Sequence, residues 1–292
     1  MNKKSNFAGY MFLLPWLIGF FCLRVVPAVS SAWFSLTNFD MFTDAKFIGL
    51  ANYQSLFSDP RFLKSIRVTF TFVFLSVPLQ LAFSLIVALL LKKNRKGTRV
   101  YRAAYYLPSL FGGSVAVAIL WRQIFTNDGV FNRILGMFGI QGVNWIATPD
   151  TSLYTLIALT IWQFGASMVI FLSALKQIPE DYYEAASLEG AGKLSQFRYI
   201  TFPLLTPILF FNIVMQIINA FQAFTPAFII SGGTGSPIDS TLLYSLYLFI
   251  VGFTQFKMGY ASAMAWLLLI LITIVTGLLF FSSKYWVFYE NE

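Results

Sequence analysis

Histidine is absent from the sequence, cysteine occurs once, at Cys22, and no stretch follows the phosphate-binding pattern Gly-x-x-x-x-Gly-Lys-Ser/Thr. The absence of histidine excludes histidine-based acid–base catalysis and histidine metal ligands, and we predict no metal site. A single cysteine excludes an internal disulfide. Without the phosphate loop, the chain has no recognisable ATP site of its own, so we predict that it binds no cofactor and is not an enzyme.

Charged residues are also scarce. They make up 11% of the 292 residues, whereas 58% are hydrophobic and the mean hydropathy is +0.70. No water-soluble globular domain has this balance, so the composition predicts an integral membrane protein. The net charge of +8 does not indicate nucleic-acid binding, because the basic residues stand in short clusters beside apolar runs, a pattern that membrane topology explains better.

Six apolar segments are long enough to cross a bilayer as helices. They run over 7–32, 68–91, 103–125, 153–175, 202–230 and 259–283. We therefore predict an all-α fold of six transmembrane helices. The first segment is interpreted as a retained span and not as a signal peptide, because it is long and no clear cleavage site closes it. A further apolar segment, 241–257, is too short to cross comfortably and is interpreted as a helix at the outer surface.

The basic residues predict the orientation. Six of them fall within the eleven residues from Lys92 to Arg102, directly after the second span, and they place this loop in the cytoplasm. With six spans, twelve basic residues face the cytoplasm and seven face outward, and both termini are cytoplasmic. Counting 241–257 as a crossing would give seven spans and an outer C-terminus, which this charge distribution disfavours.

Acidic residues are missing from all six predicted spans, and Arg24 is the one clear charge within them. Carriers driven by protons or sodium ions usually need titratable or oxygen-rich sites at membrane depth, so this absence argues against a secondary carrier. A stand-alone channel or carrier stays as one alternative hypothesis. A membrane enzyme acting on lipid-linked sugars is another, although it would need convergent acids or a metal site, and neither is visible.

The fifth span carries a stripe of amide side chains. Its members are Asn212, Gln216, Asn219 and Gln222. Their spacings of four, three and three place them on one helical face. Because a buried amide is costly unless it is paired, we predict that they line a substrate pathway and exchange hydrogen bonds with a sugar. The alternative is hydrogen bonding between helices.

The fourth span adds Trp162 and Gln163 to the predicted pathway, since an indole can stack on the apolar face of a sugar ring and an amide can bond its hydroxyls. The alternative for Trp162 is packing or lipid contact. In the second span, Ser76, Gln80 and Ser84 share a face, and we interpret this stripe as packing between helices.

A polar segment separates the fourth and fifth spans. Pro179 precedes two acidic residues, as at a helix N-terminus, and Gly190 supplies a stop. The sequence therefore predicts a short surface helix from about Glu180 to Leu188. We call residues 176–203 the signature loop.

The spacing within the signature loop resembles that of permeases of binding-protein-dependent ABC importers. The residues that carry the resemblance are Glu184, Ala185, Ala186, Gly190, Ile200 and Pro203. In that family the loop forms a coupling helix, which docks in a cleft of the cytoplasmic ATPase subunit. The resemblance therefore implies that these residues couple transport to ATP hydrolysis.

Further motifs extend the resemblance along the chain, towards carbohydrate permeases similar to the larger maltose-type subunit. They lie at 12–15, 49–53, 104–108 and 259–263. The resemblance implies a single type I importer permease domain over residues 1–292, with its core at 68–284, in the cytoplasmic membrane. It also implies four kinds of partner: a second permease subunit, two copies of an ATPase that binds ATP and magnesium, an extracytoplasmic sugar-binding protein, and a mono- or oligosaccharide as substrate.

Overall fold

The computed structural model of the chain describes residues 3–93 and 97–288, with side chains from residue 11 onward. Within these ranges the secondary structure is helical, apart from one isolated β-bridge between Thr37 and Phe47. Arg95 and Lys96, two bases of the predicted cytoplasmic loop, lie outside the described residues.

Fifteen α-helices occur in the described residues. In chain order they are α1 (Lys3–Phe20), α2 (Val26–Ser35), α3 (Ala51–Ser58), α4 (Pro60–Leu91), α5 (Thr98–Leu110), α6 (Val115–Ile124), α7 (Val130–Met137), α8 (Pro149–Trp162), α9 (Gly165–Gln177), α10 (Glu180–Leu188), α11 (Lys193–Gln196), α12 (Phe202–Phe221), α13 (Thr225–Ile230), α14 (Tyr244–Phe249) and α15 (Met258–Ser283). Three π-helical turns join or extend them, at Phe21–Val25, Phe197–Thr201 and Ile250–Thr254.

In the described residues, four helical stretches are long and apolar enough to cross a membrane. They are Met11–Ser35, Pro60–Leu91, Lys193–Ile230 and Met258–Ser283. Two bent pairs, α5 with α6 and α8 with α9, bring the number to six if each pair crosses as one span. The helix at Tyr244–Thr254 is shorter, as expected for a segment that does not cross.

Three predicted spans differ from the structure. The fourth, 153–175, is divided at 163–164, where α8 and α9 meet at 40°. The second helix begins at Pro60 and not near residue 68, because proline suits a helix start and the polar residues after it form the first two turns. The third predicted span, 103–125, is not one helix: α5 and α6 meet at 99° across the break at 111–114. The Gly112-Gly113 pair in this break disfavours a continuous helix.

The chain packs as two compact units. Among the described residues, the first unit falls within Met1–Pro60 and Leu248–Ile270, and the second falls within Arg61–Tyr247 and Leu271–Glu292. In the first unit, the Asn52 amide donates to the carbonyls of Ser35 and Thr37, at 2.8 Å each. Gly259 N donates to the Phe39 carbonyl at 2.8 Å. These bonds give the sequence motifs at 49–53 and 259–263 a structural role, since both hold the segment after α2 in place.

In the second unit, α5 and α12 both pack against α9, and α13 packs against α6. Arg61 at the start of α4 forms a two-pronged ion pair with Asp239, through Nε at 2.9 Å and Nη2 at 2.6 Å. The Trp121 indole donates to the Thr155 carbonyl at 2.9 Å, which joins α6 to α8. Within the second unit, α9 thus packs against α5 and α12, and α6 packs against α13 and is bonded to α8.

Replacement of Gly259 by alanine tests the packing of the first unit. A Cβ at this position would overlap the Thr37 carbonyl oxygen and lie 3.1 Å from the Phe34 carbonyl oxygen, so backbone must shift. We expect Gly259→Ala to destabilise the purified protein by about 1–3 kcal/mol, measured as a lower melting temperature in detergent.

Gly277→Ala on the same helix is the matched control, because a Cβ at Gly277 meets nothing within 4 Å. It should leave the melting temperature unchanged or slightly raised, as alanine favours helix over glycine. Equal melting temperatures for the two variants would contradict the close contact at Gly259.

Candidate functional site

Three interruptions of the helices meet in the second unit. They lie at 111–114 between α5 and α6, at 163–164 between α8 and α9, and at 222–224 between α12 and α13. Residues from all three line one cavity of about 480 Å³, which we call the polar cavity. Inside apolar spans, a helix break is tolerated where its free backbone groups are buried in protein or line an aqueous space. The convergence of the breaks therefore identifies the polar cavity as the candidate site.

The wall of the polar cavity is polar and neutral. Its polar side chains are Gln80, Ser109, Thr160, Gln163, Gln216, Asn219, Gln222 and Thr225. No described residue that lines the cavity carries a charged side chain. The wall therefore offers hydrogen-bond donors and acceptors without an ion-pairing partner, which suits an uncharged hydroxylated solute.

Four of the six predicted pathway residues lie together in this wall. They are Gln163, Gln216, Asn219 and Gln222. Gln216 on α12 donates its amide to the Ser167 hydroxyl on α9 at 3.0 Å, whereas Asn219 and Gln222 are exposed. Helical spacing thus located the α12 face of the cavity, and the role of these residues in transport stays a prediction.

The structure places Trp162 and Asn212 outside the cavity wall. The Trp162 ring, at the last residue of α8, packs against the Trp121 ring, with centroids 5.7 Å apart and planes tilted by 38°. It points away from Gln163 because neighbouring helical residues differ by about 100°. Asn212 is 2% exposed, and its amide donates to the Ile208 carbonyl of its own helix at 2.9 Å, so it lies one turn beyond the cavity.

The polar stripe of α4 supplies partners for the break between α8 and α9. The Gln80 amide donates to the Gln163 carbonyl at 3.3 Å, and the Ser84 hydroxyl lies 3.0 Å from the Phe164 carbonyl. The interpretation of this stripe as packing between helices is therefore confirmed for Gln80 and Ser84. Gln80 also lines the polar cavity, which the sequence reasoning missed.

The break between α5 and α6 was missed as well. Gln163 donates its side-chain amide to the Gly112 carbonyl at 3.1 Å, and a Cβ on Gly112 would lie 2.8 Å from Gln163 Cδ. Only a residue without a side chain allows this approach. The Gly112-Gly113 pair inside an apolar run was the signal that could have revealed the break.

The signature loop forms a second candidate site. α10 has the predicted bounds, and it ends because Gly190 adopts a left-handed conformation with φ of +80°. Ala191 N donates to the Ala186 carbonyl at 2.9 Å and Gly190 N donates to the Ser187 carbonyl at 3.0 Å, which closes the last turn. The chain then turns into α11 and the π-helical turn that leads to α12.

The signature residues differ in exposure. Glu184 and Ala185 are exposed and Ala186 is half-buried, so one face of α10 is open for a partner. Ile200 and Pro203 are half-buried at the entry to α12. Leu188 and Leu194 are 90% and 81% exposed on either side of Gly190. Such an apolar surface on a polar loop is typical of a protein interface.

Comparison with known proteins gives the family context. The family described as binding-protein-dependent transport system inner membrane component matches residues 48–287. The chain is 53% identical to the probable ABC transporter permease protein YesP of Bacillus subtilis, over 99% of this chain and 94% of that protein. It is 33% identical to the trehalose/maltose transport system permease protein MalF of Thermococcus litoralis, over 82% of each chain.

The fold has a solved counterpart. A chain in the crystal structure of a bacterial alginate ABC transporter, in complex with an alginate pentasaccharide-bound periplasmic protein, superposes with a TM-score of 0.84. The alignment covers 96% of this chain and 95% of that one at 20% identity. At this identity the likeness establishes the fold only.

Removal of the Ser84 hydroxyl tests whether α4 stabilises the break between α8 and α9. The Ser84 hydroxyl lies 2.7 Å from the Gln80 carbonyl and 3.0 Å from the Phe164 carbonyl, so Ser84→Ala leaves the Phe164 carbonyl with the Met168 N–H as its partner. The expected cost is that of one net hydrogen bond, about 0.5–1.5 kcal/mol. We expect a lower melting temperature in detergent. Ser173→Ala is the control, because the Ser173 hydroxyl bonds only a carbonyl of its own helix at an exposed position. Equal melting temperatures would argue against the bracing role.

Proposed function

Because this chain belongs to the family of inner membrane components of binding-protein-dependent transport systems, we propose that it passes a neutral mono- or oligosaccharide through the polar cavity, driven by ATP hydrolysis on a separate subunit. It is a multi-pass membrane permease subunit and not an enzyme. The observation that carries the substrate proposal is the charge-free cavity wall with its cluster of amides.

The relatives support a carbohydrate. One is named for trehalose and maltose, and others are named for lactose and arabinooligosaccharides. A sugar presents many hydroxyls and no charge, so it needs side chains that both donate and accept hydrogen bonds. Gln163, Gln216 and Asn219 have this property, and they face a cavity of a size that holds small molecules.

The proposed topology has six spans in a single permease domain over residues 1–292, with the core at 68–284. Each bent pair, α5 with α6 and α8 with α9, crosses as one span, and the helix at Tyr244–Thr254 does not cross. Both termini are then cytoplasmic. The support is the excess of basic residues on the inner side, with Lys92, Lys93 and Arg99 after α4 among them.

The proposed partners follow from this topology. The exposed face of α10 with Glu184, Ala185 and Ala186 docks on a cytoplasmic ATPase, where ATP and magnesium bind. Gly190 lets the chain turn away, and Leu188 and Leu194 add apolar contact. A second permease subunit completes the sugar pathway, and it docks on a second copy of the ATPase. An extracytoplasmic binding protein delivers the sugar.

The Glu184→Lys variant tests coupling. Reversal of the charge on the docking face should abolish stimulation of ATP hydrolysis by sugar-loaded binding protein in proteoliposomes, because like charges repel at the contact. Glu189→Lys is the matched control, since Glu189 lies past the end of α10 and outside the signature pattern. It should retain most of the stimulation.

Two outcomes would contradict the proposed coupling. Full stimulation in Glu184→Lys would exclude this carboxylate from the contact. Sugar flux through this chain alone, independent of ATP, would favour a stand-alone carrier.

The double variant Gln216→Leu/Asn219→Leu tests the pathway. Removal of two amides from the cavity wall should slow sugar uptake by about 10- to 100-fold, since each hydrogen bond contributes about 0.5–1.5 kcal/mol. Uptake of labelled sugar into proteoliposomes measures the effect. Trp162→Phe should leave uptake nearly unchanged, because the ring lies outside the cavity wall. A stronger defect in Trp162→Phe would place the pathway elsewhere.

A further inference from the structure

Tyr183, the residue before Glu184, connects the signature loop to α4. The Lys92 ammonium, one residue past the end of α4, lies 4.1 Å from the centroid of the Tyr183 ring. Tyr183 is half-buried, whereas Glu184 and Ala185 beside it are exposed. The Tyr183 side chain therefore faces the body of the second unit while the docking face of α10 points away from it. A cation over an aromatic face at this distance is an attractive contact.

Tyr183 also connects the loop to α12. Its hydroxyl forms a hydrogen bond of 2.9 Å with the Thr201 hydroxyl, in which either group can donate. Thr201 is 5% exposed and is the last residue of the π-helical turn that continues into α12. One side chain thus contacts both α4 and the entry to α12, the two helices that bring Gln80 and Gln216 to the polar cavity.

Gln196, the last residue of α11, holds the two limbs of the loop together. Its side-chain nitrogen lies 2.8 Å from the Ser187 hydroxyl and 3.2 Å from the Ala191 carbonyl. The same nitrogen lies 3.5 Å from the Tyr183 carbonyl. These bonds span the turn at Gly190, so α10 and α11 form one braced unit despite the glycine between them.

We propose that Tyr183 is a positioning residue that transmits the displacement of α10 to the helices of the polar cavity. The Tyr183–Thr201 hydrogen bond carries it to α12, and the contact with Lys92 carries it to α4. The backbone route from α10 to α12 is longer, because it turns at Gly190 and Gly192, where the Gln196 side chain braces it, and then passes through α11. The side-chain route is short and partly buried. This proposal rests on the proposed coupling function of the signature loop.

The test is a double-mutant cycle on the hydroxyl pair. Tyr183→Phe and Thr201→Val each remove one hydroxyl and keep the shape of the side chain. In the complete complex in proteoliposomes, each should lower the sugar transported per ATP hydrolysed about fivefold, the effect expected for one hydrogen bond. The double variant should be no worse than either single variant, because the two residues act through one bond.

Tyr199→Phe is the matched control. It makes the same chemical change in the adjoining π-helical turn, where Tyr199 is 73% exposed, and should leave the transport-to-ATP ratio unchanged. Thr201→Ser retains a hydroxyl and should also keep the ratio of the unaltered protein. A merely structural role would instead lower the melting temperature and leave the ratio intact in the complexes that assemble.

Two results would overturn the proposal. One is an unchanged transport-to-ATP ratio in Tyr183→Phe. The other is a double variant in which the fold-losses of the two single variants multiply. If the Tyr183→Phe complex does not assemble, the transport-to-ATP ratios of Thr201→Val and Thr201→Ser test the proposal, which expects a lower ratio in Thr201→Val only. Failure of the proposed function is distinguishable, since the unaltered complex would then show no sugar-stimulated ATP hydrolysis. If the unaltered complex couples transport to ATP hydrolysis but removal of either hydroxyl leaves the transport-to-ATP ratio unchanged, only the role of Tyr183 is contradicted.

Discussion

The structure depends on the need to pair backbone groups within apolar spans. A continuous helix satisfies this need by itself, but the second unit interrupts its helices at 111–114, 163–164 and 222–224. Each interruption releases carbonyl and amide groups that hydrocarbon cannot solvate. The three breaks line one polar cavity, and the Gln163 side chain at one break pairs the Gly112 carbonyl at another, so the cost of a break is reduced by the presence of its neighbour.

Gln163 takes part in the pairing of backbone groups at two of the breaks. Its backbone carbonyl accepts the Gln80 amide, and its own side chain donates to the Gly112 carbonyl. One residue at the break between α8 and α9 thus binds α4 on one side and the break between α5 and α6 on the other. An amide that serves as a structural bridge is also fixed in position, and a fixed amide is a better partner for a bound solute.

The sequence was most informative where structure is local. The bounds of α10 follow from Pro179, the acidic first turn and Gly190, all within one short segment, and the structure has the same bounds. The periodicity of the α12 amides found one wall of the cavity for the same reason. Long apolar helices were also predicted in the regions where the structure has them, because a long apolar run can be recognised without knowledge of its neighbours.

The sequence was least informative where tertiary contacts decide. At the 99° bend between α5 and α6, the Gly112 carbonyl is bonded by Gln163 from the break between α8 and α9, a contact that hydropathy does not reveal. Trp162 and Gln163 are adjacent in sequence, yet only the second lines the cavity, because the outcome depends on how α8 is rotated against α6. Asn212 lies on the predicted face, but the depth of the cavity is set by α4, α8 and α9 and not by α12 alone.

The distribution of rigid and broken elements suits a coupled permease. The signature loop is braced by Gln196 across its glycine turn. The cavity, in contrast, lies where helices are interrupted, and an interrupted helix bends more readily than a continuous one. Under the proposed coupling, a displacement that enters through the braced loop would change the shape of the cavity at the breaks. The same backbone interruptions that require polar partners thus provide the compliance that transport needs.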